Sequence, residues 1–389
     1  MSCNISRLLI DAVVVIIIST LLTWHQNDNF STQEAFLTPA LSRNQQDELH
    51  AIAKKLVHFG KGILAADESI DTIGKRFKLF GIENNEENRR NYRHLLFTTP
   101  NISQYISGII LHEETFHQKD NGGVRFVDII KRANISPGIK LDKGLQSFDG
   151  SSEYITVGLN DLKERAVSFK SGGCEFAKWR CVFVISETTP SKKALETNAK
   201  ILAKYAVISQ KAGLVPIIEP EVLCDKEHHL EKVREVTEQV LAQVYKSLHD
   251  YGVFIEGTLL KPNMVIPGLD FTKVISVLIE FCEFEVGHEK VAAETLQALM
   301  RTVPPAVPGI VFLSGGQLET DATKNLNEIN KLPRYKPWKI SFSYGRALQT
   351  LVLKAWAMHD KEVQAKFLHR SKLNALAAKG QYTDEFEKV

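Results

Sequence analysis

Short apolar runs recur along this chain, and most of them end in charged residues. Gly62–Asp67, Ser107–Leu111, Pro137–Asp142, Glu175–Ile185, Leu214–Glu221, Phe254–Leu260, Gly309–Leu313 and Trp338–Arg346 are too short for helices and too apolar for loops. They predict buried strands, apolar on both faces as in a parallel sheet. Between them, Glu86–Leu96, Ser191–Ala212, Lys226–Asp250 and His288–Arg301 repeat apolar residues at spacings near three and four, the mark of amphipathic helices. Strand then helix, repeated over about 290 residues, predicts parallel strands with helical crossovers. Eight such units fit a single-domain α/β fold, the (β/α)8 TIM barrel, with its site at the carboxyl ends of the strands. The competing doubly wound sheet normally carries a Gly-rich phosphate loop after its first strand, and Gly62–Ser69 has none.

The charges inside these runs are the candidate chemistry. Strand side chains alternate faces, so Lys140 and Asp142, Lys178 and Arg180, and Glu219 and Glu221 each share one face. Their strands are otherwise apolar, so the pairs point into one shared polar centre. In Gly257-Thr258-Leu259-Leu260-Lys261-Pro262-Asn263 a lysine ends an apolar run and a proline stops the strand. A lysine at such a rim is partly desolvated, which lowers its pKa and makes its amine a nucleophile toward a carbonyl. The plainer alternative is a strand-end lysine that reaches solvent.

Composition narrows the classes. With 48 basic and 46 acidic residues, the net charge of +2 gives no general drive toward nucleic acid or a membrane surface. The 389 residues suffice for one large core. The five cysteines, Cys3, Cys174, Cys181, Cys224 and Cys282, form no C-x-x-C pair and suit a reducing compartment. His112-Glu113-Glu114-Thr115-Phe116-His117 spaces its histidines by five, not the four of a zinc helix, and reads as loop. His228-His229 reads as a solvated helix start, and Glu83–Arg93 as a helix face with spaced ion pairs. No metal site is implied. Leu8–Thr23 is apolar but carries Asp11, and as a helix it spans about 24 Å against a hydrocarbon core of about 30 Å. Membrane contact through residues 8–23 is the less favoured reading. Residues 1–30 are read as an extension (an anchor or an aberrant leader), 31–375 as the barrel and 376–389 as a short tail.

Several blocks then stand in a telling order: Gly62-Ile63-Leu64-Ala65-Ala66-Asp67-Glu68-Ser69, Gly138-Ile139-Lys140-Leu141-Asp142-Lys143-Gly144, Phe176-Ala177-Lys178-Trp179-Arg180, Ile218-Glu219-Pro220-Glu221, the Lys261 heptad, Arg301-Thr302-Val303-Pro304-Pro305-Ala306-Val307, Phe312-Leu313-Ser314-Gly315-Gly316-Gln317 and Ser343-Tyr344-Gly345-Arg346-Ala347-Leu348. From about Phe36 to about Tyr382 the chain resembles the class I fructose-bisphosphate aldolases, the metal-independent, Schiff-base-forming type. The resemblance implies reversible cleavage of fructose 1,6-bisphosphate to dihydroxyacetone phosphate and glyceraldehyde 3-phosphate, with no cofactor, in a cytoplasmic homotetramer.

Residue by residue, it implies that Lys261 forms the Schiff base and that Lys178 is a second lysine close by. One ammonium beside another lowers the pKa of both, so the pair is expected to supply a neutral amine. Glu219 is implied as the proton shuttle, with a pKa near neutrality. Asp67 takes the C4 hydroxyl proton, and Glu221 supports the lysine pair electrostatically. Ser314, Gly315, Gly345 and Arg346 match one phosphate site, and Lys140, Ser69, Thr72 and Arg76 the other, with Arg180 also binding substrate. The chain departs from the pattern at Ile70 and Asp71, where the family has Thr-Gly, and a carboxylate there repels phosphate. About ten extra residues fall within Phe271–Gly287. Tyr382 matches an internal tyrosine, and Lys388-Val389 offers no terminal phenol, so late proton exchange is expected to be slow. The rival readings are a catalytically weak, membrane-tethered scaffold of the same fold, and an enzyme that prefers fructose 1-phosphate.

Overall fold

The apolar runs do form strands, and the strands close on themselves. The structure, a computed structural model, describes residues 40–268 and 286–388. In chain order the strands are β1 (Gly62–Ala66), β2 (Ile106–Leu111), β3 (Ser136–Lys140), β4 (Leu145–Ser147), β5 (Tyr154–Thr156), β6 (Phe176–Val184), β7 (Val215–Leu223), β8 (Leu259–Leu260), β9 (Gly309–Phe312) and β10 (Lys339–Tyr344). Eight of them make a closed parallel barrel in the order β1-β2-β3-β6-β7-β8-β9-β10, with β10 paired back onto β1 through Ile63 and Ser343. β4 and β5 form a separate antiparallel hairpin that the apolar pattern did not announce.

The helices are α1 (Arg43–Leu56), α2 (Ile70–Lys78), α3 (Glu86–Phe97), α4 (Glu113–His117), α5 (Phe126–Arg132), α6 (Leu162–Ser171), α7 (Lys192–Lys211), α8 (Leu230–Asp250), α9 (His288–Thr302), α10 (Glu319–Lys331), α11 (Arg346–Ala357) and α12 (Val363–Ala377). Polar caps fix several starts. Ser42 forms a capping box with Gln45 at α1, and Ser69, Asn85 and Ser191 each accept a backbone N–H at α2, α3 and α7. The larger apolar cluster lies between barrel and helices. A smaller one fills the barrel itself, where Leu49, Ala53 and Leu56 of α1 meet Ile63, Ile110, Phe176, Val215, Leu259 and Val311. The amino-terminal helix thus plugs the floor, and the open end is left for chemistry.

Three expectations need correction. Phe254–Leu260 is not one strand: Ile255–Gly257 is a 3₁₀ turn and only Leu259–Leu260 pair. Side chains satisfy that backbone instead of a ladder, since Gln210 Nε2 donates to the Phe254 and Gly257 carbonyls and the His50 ring contacts the Glu256 carbonyl. Arg346 does not end a strand but begins α11, because β10 stops at Tyr344. The stretch His112–His117 is not loop: His112 caps the short helix α4 and accepts the Glu114 N–H. The apolar stretch Leu8–Thr23, the extension 1–30 and nearly all of the insertion within Phe271–Gly287 lie outside the described residues. Among the described residues, no helix is long and apolar enough to cross a membrane.

The barrel wall interdigitates small and large residues. Gly138 sits opposite Phe176, and a Cβ there would lie 2.3 Å from the ring; at Gly62 a Cβ would lie 2.5 Å from the Phe342 ring. Neither aromatic ring has free space to retreat into, both being fully buried. Gly138→Ala is therefore expected to cost about 1–3 kcal/mol through overpacking. Urea unfolding checks this: the midpoint should fall without a change in slope.

Candidate active site

Five of the eight barrel strands deliver charge to one place. Asp67 follows β1, Lys140 ends β3, and Lys261 follows β8, while Lys178 and Glu219 lie within the longer strands β6 and β7. Register does the rest. Lys140 is the ladder partner of Lys178, Lys178 of Ile217, and Arg180 of Glu219. Pro262 ends the β8 edge, and the Lys261 N–H donates to the Ile218 carbonyl at 2.7 Å, which fixes where its side chain starts.

The result is a buried cluster of three lysines and three carboxylates. Lys178 Nζ lies 2.9 Å from Asp67, 3.2 Å from Glu219 and 3.6 Å from Asp142. Lys261 Nζ lies 3.1 Å from the other oxygen of Glu219, and Lys140 Nζ lies 2.7 Å from Asp142. Lys178, Lys261, Glu219, Asp67 and Asp142 are all buried. One layer nearer the mouth, Arg180 pairs with Glu221 and donates its backbone N–H to Asp142.

This geometry reverses one expectation. Burial pulls the Lys178 ammonium down, but Asp67, Glu219 and Asp142 together outweigh it and raise its pKa well above the ordinary lysine value. The three carboxylates, and not the neighbouring lysine, set the balance. Burial likewise pushes Asp67 and Asp142 up, yet Lys178 and its fellow lysines hold both below the ordinary carboxylate range. Lys178 is thus a fixed cation and Asp67 a fixed anion. Glu221, expected beside the lysine pair, is found on Arg180.

The residues matched to phosphate lie at or just beyond the carboxyl ends of β1, β3, β9 and β10. Ser314 follows β9 and accepts the Ala347 N–H at the start of α11, next to Gly345 and the exposed Arg346. Gly315 lies against Glu221, so a Cβ there would meet that carboxylate at 2.7 Å. Ser69 caps α2, and its hydroxyl lies 3.0 Å from that of Thr72. Arg76 pairs with Glu68 at 2.6 Å, and a Cβ on Gly345 would come within 3.7 Å of its guanidinium.

Several participants were given no individual role from sequence. Asp142 joins Lys140 to Lys178, a place signalled only by its spacing of two from Lys140. Glu68 takes hydrogen bonds from Arg76 and Gln349 and lies 3.7 Å from Arg93. The run Glu83–Arg93 is not simply a solvated face. Arg93 is buried and donates to Thr115 Oγ1 and the Glu68 carbonyl, and Arg89 forks onto Glu114. No sequence spacing announces such pairs between elements. Among the described residues, no group of His, Cys, Asp and Glu is placed to hold a metal ion. Cys174, Cys181 and Cys224 are buried free thiols.

Lys178→Met should strand the buried Asp67, leave Glu219 and Asp142 with one lysine each, and cost about 3–5 kcal/mol at neutral pH. Its pH dependence is diagnostic. In the parent, the depressed pKa of Asp67 gives stability that is present above the ordinary carboxylate pKa of about 4 and lost as pH falls below it. In the variant Asp67 is desolvated without its ion-pair partner, its pKa rises, and stability should increase as pH drops from 8 to 5. Thermal melts across that range read the sign.

Comparison with known proteins agrees with this arrangement. The family model described as fructose-bisphosphate aldolase class-I matches residues 48–389. Fructose-bisphosphate aldolase 2 of Caenorhabditis elegans is 55% identical over 350 residues, covering 89% of this chain and 93% of that protein. The muscle-type fructose-bisphosphate aldolase of Lethenteron camtschaticum is 51% identical over 349 residues, covering 88% and 93%. Among solved structures, the fructose-bisphosphate aldolase of Plasmodium falciparum, determined with TRAP and a small-molecule inhibitor, superposes with a TM-score of 0.83 at 45% identity, over 89% of this chain and 98% of that one. With a closed parallel barrel, a buried lysine–carboxylate cluster at its carboxyl end and this likeness over most of its length, the chain belongs to the class I fructose-bisphosphate aldolases, metal-independent lyases that cleave fructose 1,6-bisphosphate in glycolysis.

Proposed function

We propose that this cleavage runs through a Schiff base on Lys261. The observation that carries the assignment is the split between the two buried lysines. Lys178 is ringed by three carboxylates and stays an ammonium, whereas Lys261 touches one, Glu219. The amine of Lys261 attacks the C2 ketone of the open-chain sugar, and the resulting carbinolamine must lose its oxygen as water. Glu219 lies within 3.2 Å of both lysine nitrogens; it takes the proton that the Lys261 nitrogen sheds on attack and returns it to the departing hydroxyl. The iminium left on Lys261 is the electron sink.

Asp67 is ionised and takes the proton of the C4 hydroxyl as the C3–C4 bond breaks. The bonding pair passes into the enamine, and glyceraldehyde 3-phosphate leaves. Protonation at C3 and hydrolysis of the iminium then release dihydroxyacetone phosphate and restore the lysine. Lys178 holds Asp67 and Glu219 in place and keeps the former charged. Ser314, Gly315, Gly345 and Arg346 hold one phosphate, joined by Arg76 from its place beside Gly345. Lys140, Ser69, Thr72 and Arg180 hold the other, with Glu221 orienting Arg180 and not the lysine pair.

A cytoplasmic homotetramer belongs to the same reading, supported by the family's usual assembly. Light scattering should give four times the chain mass. A catalytically weak scaffold is disfavoured by the charge-balanced cluster, since buried ion pairs are costly to keep without a use.

Incubation of the chain with fructose 1,6-bisphosphate, borohydride and EDTA is expected to fix a reduced adduct on Lys261, located by peptide mass spectrometry. Lys261→Arg should lower kcat by at least about a thousandfold, because no other amine in the cluster can replace the nucleophile. An adduct elsewhere, or none on a folded chain, would refute the assignment.

A further inference from the structure

The carboxylate of Asp67 forms one ion pair among the described residues, with Lys178 at 2.9 Å. An ammonium is a point charge on a flexible stem, so it neutralises a carboxylate without fixing its direction. That direction has to come from the backbone of the turn between β1 and α2, and the ladder secures only one side of it. Ala65 and Ala66 pair with Ile110 and Leu111 of β2. Pairing with β10 ends at Leu64 and Tyr344, because α11 begins two residues later.

Side chains take over where β10 stops. Gln349 of α11 donates from Nε2 to the Ala65 carbonyl at 2.8 Å and to Glu68 Oε1 at 3.0 Å. One amide thus clasps the residues on either side of Ala66-Asp67. Glu68 Oε1 also accepts from Arg76 of α2 at 2.6 Å, and the Glu68 carbonyl accepts from Arg93 of α3 at 2.8 Å. The residue next to Asp67 is therefore where α2, α3 and α11 meet. Gln349 and Arg93 are buried, so water does not compete for these bonds. A neutral side chain could accept them, but Arg93 also needs a countercharge. Glu68 Oε2 stands 3.7 Å from it, and its other carboxylate, Glu114, stands 3.9 Å away.

We propose that Glu68 is a positioning residue for C3–C4 cleavage: with Gln349 and Arg93 it locks the turn that carries Asp67 and so aims that carboxylate at the C4 hydroxyl. The inference rests on the retro-aldol reading above, in which Asp67 takes the hydroxyl proton. Glu68 acts through the backbone of its neighbour and touches no reacting atom.

Two reactions of the full chain separate position from folding. Cleavage of fructose 1,6-bisphosphate needs Asp67. Exchange of the C3 proton of dihydroxyacetone phosphate with solvent uses the same Lys261 Schiff base but involves no C4 hydroxyl. In Glu68→Gln, and independently in Gln349→Met, kcat for cleavage should fall about ten- to a hundredfold, the cost of a misplacement near 1 Å. C3 exchange by the same samples should stay within about twofold of the parent. Gln349→Met leaves every charge in place and so reads the clasp alone. A loss of folded protein would lower both reactions alike, so a parallel fall in both variants, or no fall in either, overturns the proposal. Asp67→Asn should show the same split. If it cleaves at the parent rate, the role given to Asp67 fails, and this proposal with it; if it alone shows the split, only the proposal for Glu68 falls.

Discussion

Lys178 carries its charge into a place where water cannot screen it, and the rest of the site is organised by that requirement. Removing an ammonium from water costs several kcal/mol even after the surroundings relax. One carboxylate about 4 Å away returns about 4 kcal/mol at an effective dielectric near 20, which leaves the ion close to break-even. Three carboxylates within 3.6 Å settle the sign, and the pKa of Lys178 rises instead of falling. The same attraction holds Asp67 and Asp142 ionised at any pH near neutrality. A site that needs one carboxylate to be a base and one amine to be a nucleophile thereby obtains both from a single fixed cation.

The barrel makes such a cluster affordable. Its six charges come from β1, β3, β6, β7, β8 and the turns that follow them, so no two adjacent positions along the chain have to be forced together. Parallel register stacks Lys140 beside Lys178, and Arg180 beside Glu219. Strand alternation sends Arg180 and Glu221 one layer nearer the mouth, where they pair with each other. The floor is closed by α1 and filled by apolar side chains, so solvent approaches the cluster only from the end where substrate would enter.

Much of this was legible in the residues because strand periodicity is strict. A spacing of two in an apolar run fixes a shared face, and that alone placed Lys178 with Arg180 and Glu219 with Glu221. What periodicity cannot supply is the partner across space. Glu221 was expected at the lysines, but its distance from Arg180 depends on strand stagger, which no single run encodes. Arg76 was grouped with Lys140, yet α2 turns its guanidinium toward Gly345, at the far end of the chain but adjacent once β10 closes on β1. Phe254–Leu260 read as a strand from its composition, and lost most of its ladder because Gln210 and His50 offered its backbone nearer partners. Each miss belongs to closure of the barrel or to side-chain competition for backbone groups, both long-range effects.

The pKa reversal at Lys178 follows the same logic and bears on how the reaction is divided. If two neighbouring ammonium groups set each other's pKa, either lysine could have served as nucleophile. The carboxylates break that symmetry: Glu219 is shared, but Asp67 and Asp142 stand within reach of Lys178. Exchange of a proton between Lys261 and Glu219 leaves the Lys178 pairings with Asp67 and Asp142 intact, whereas deprotonation of Lys178 would take the ion-pair partner from Asp67 and weaken the balance at Glu219 and Asp142 as well. The division of labour between the two lysines is therefore a consequence of where Asp67 and Asp142 sit, not of any difference between the lysines themselves.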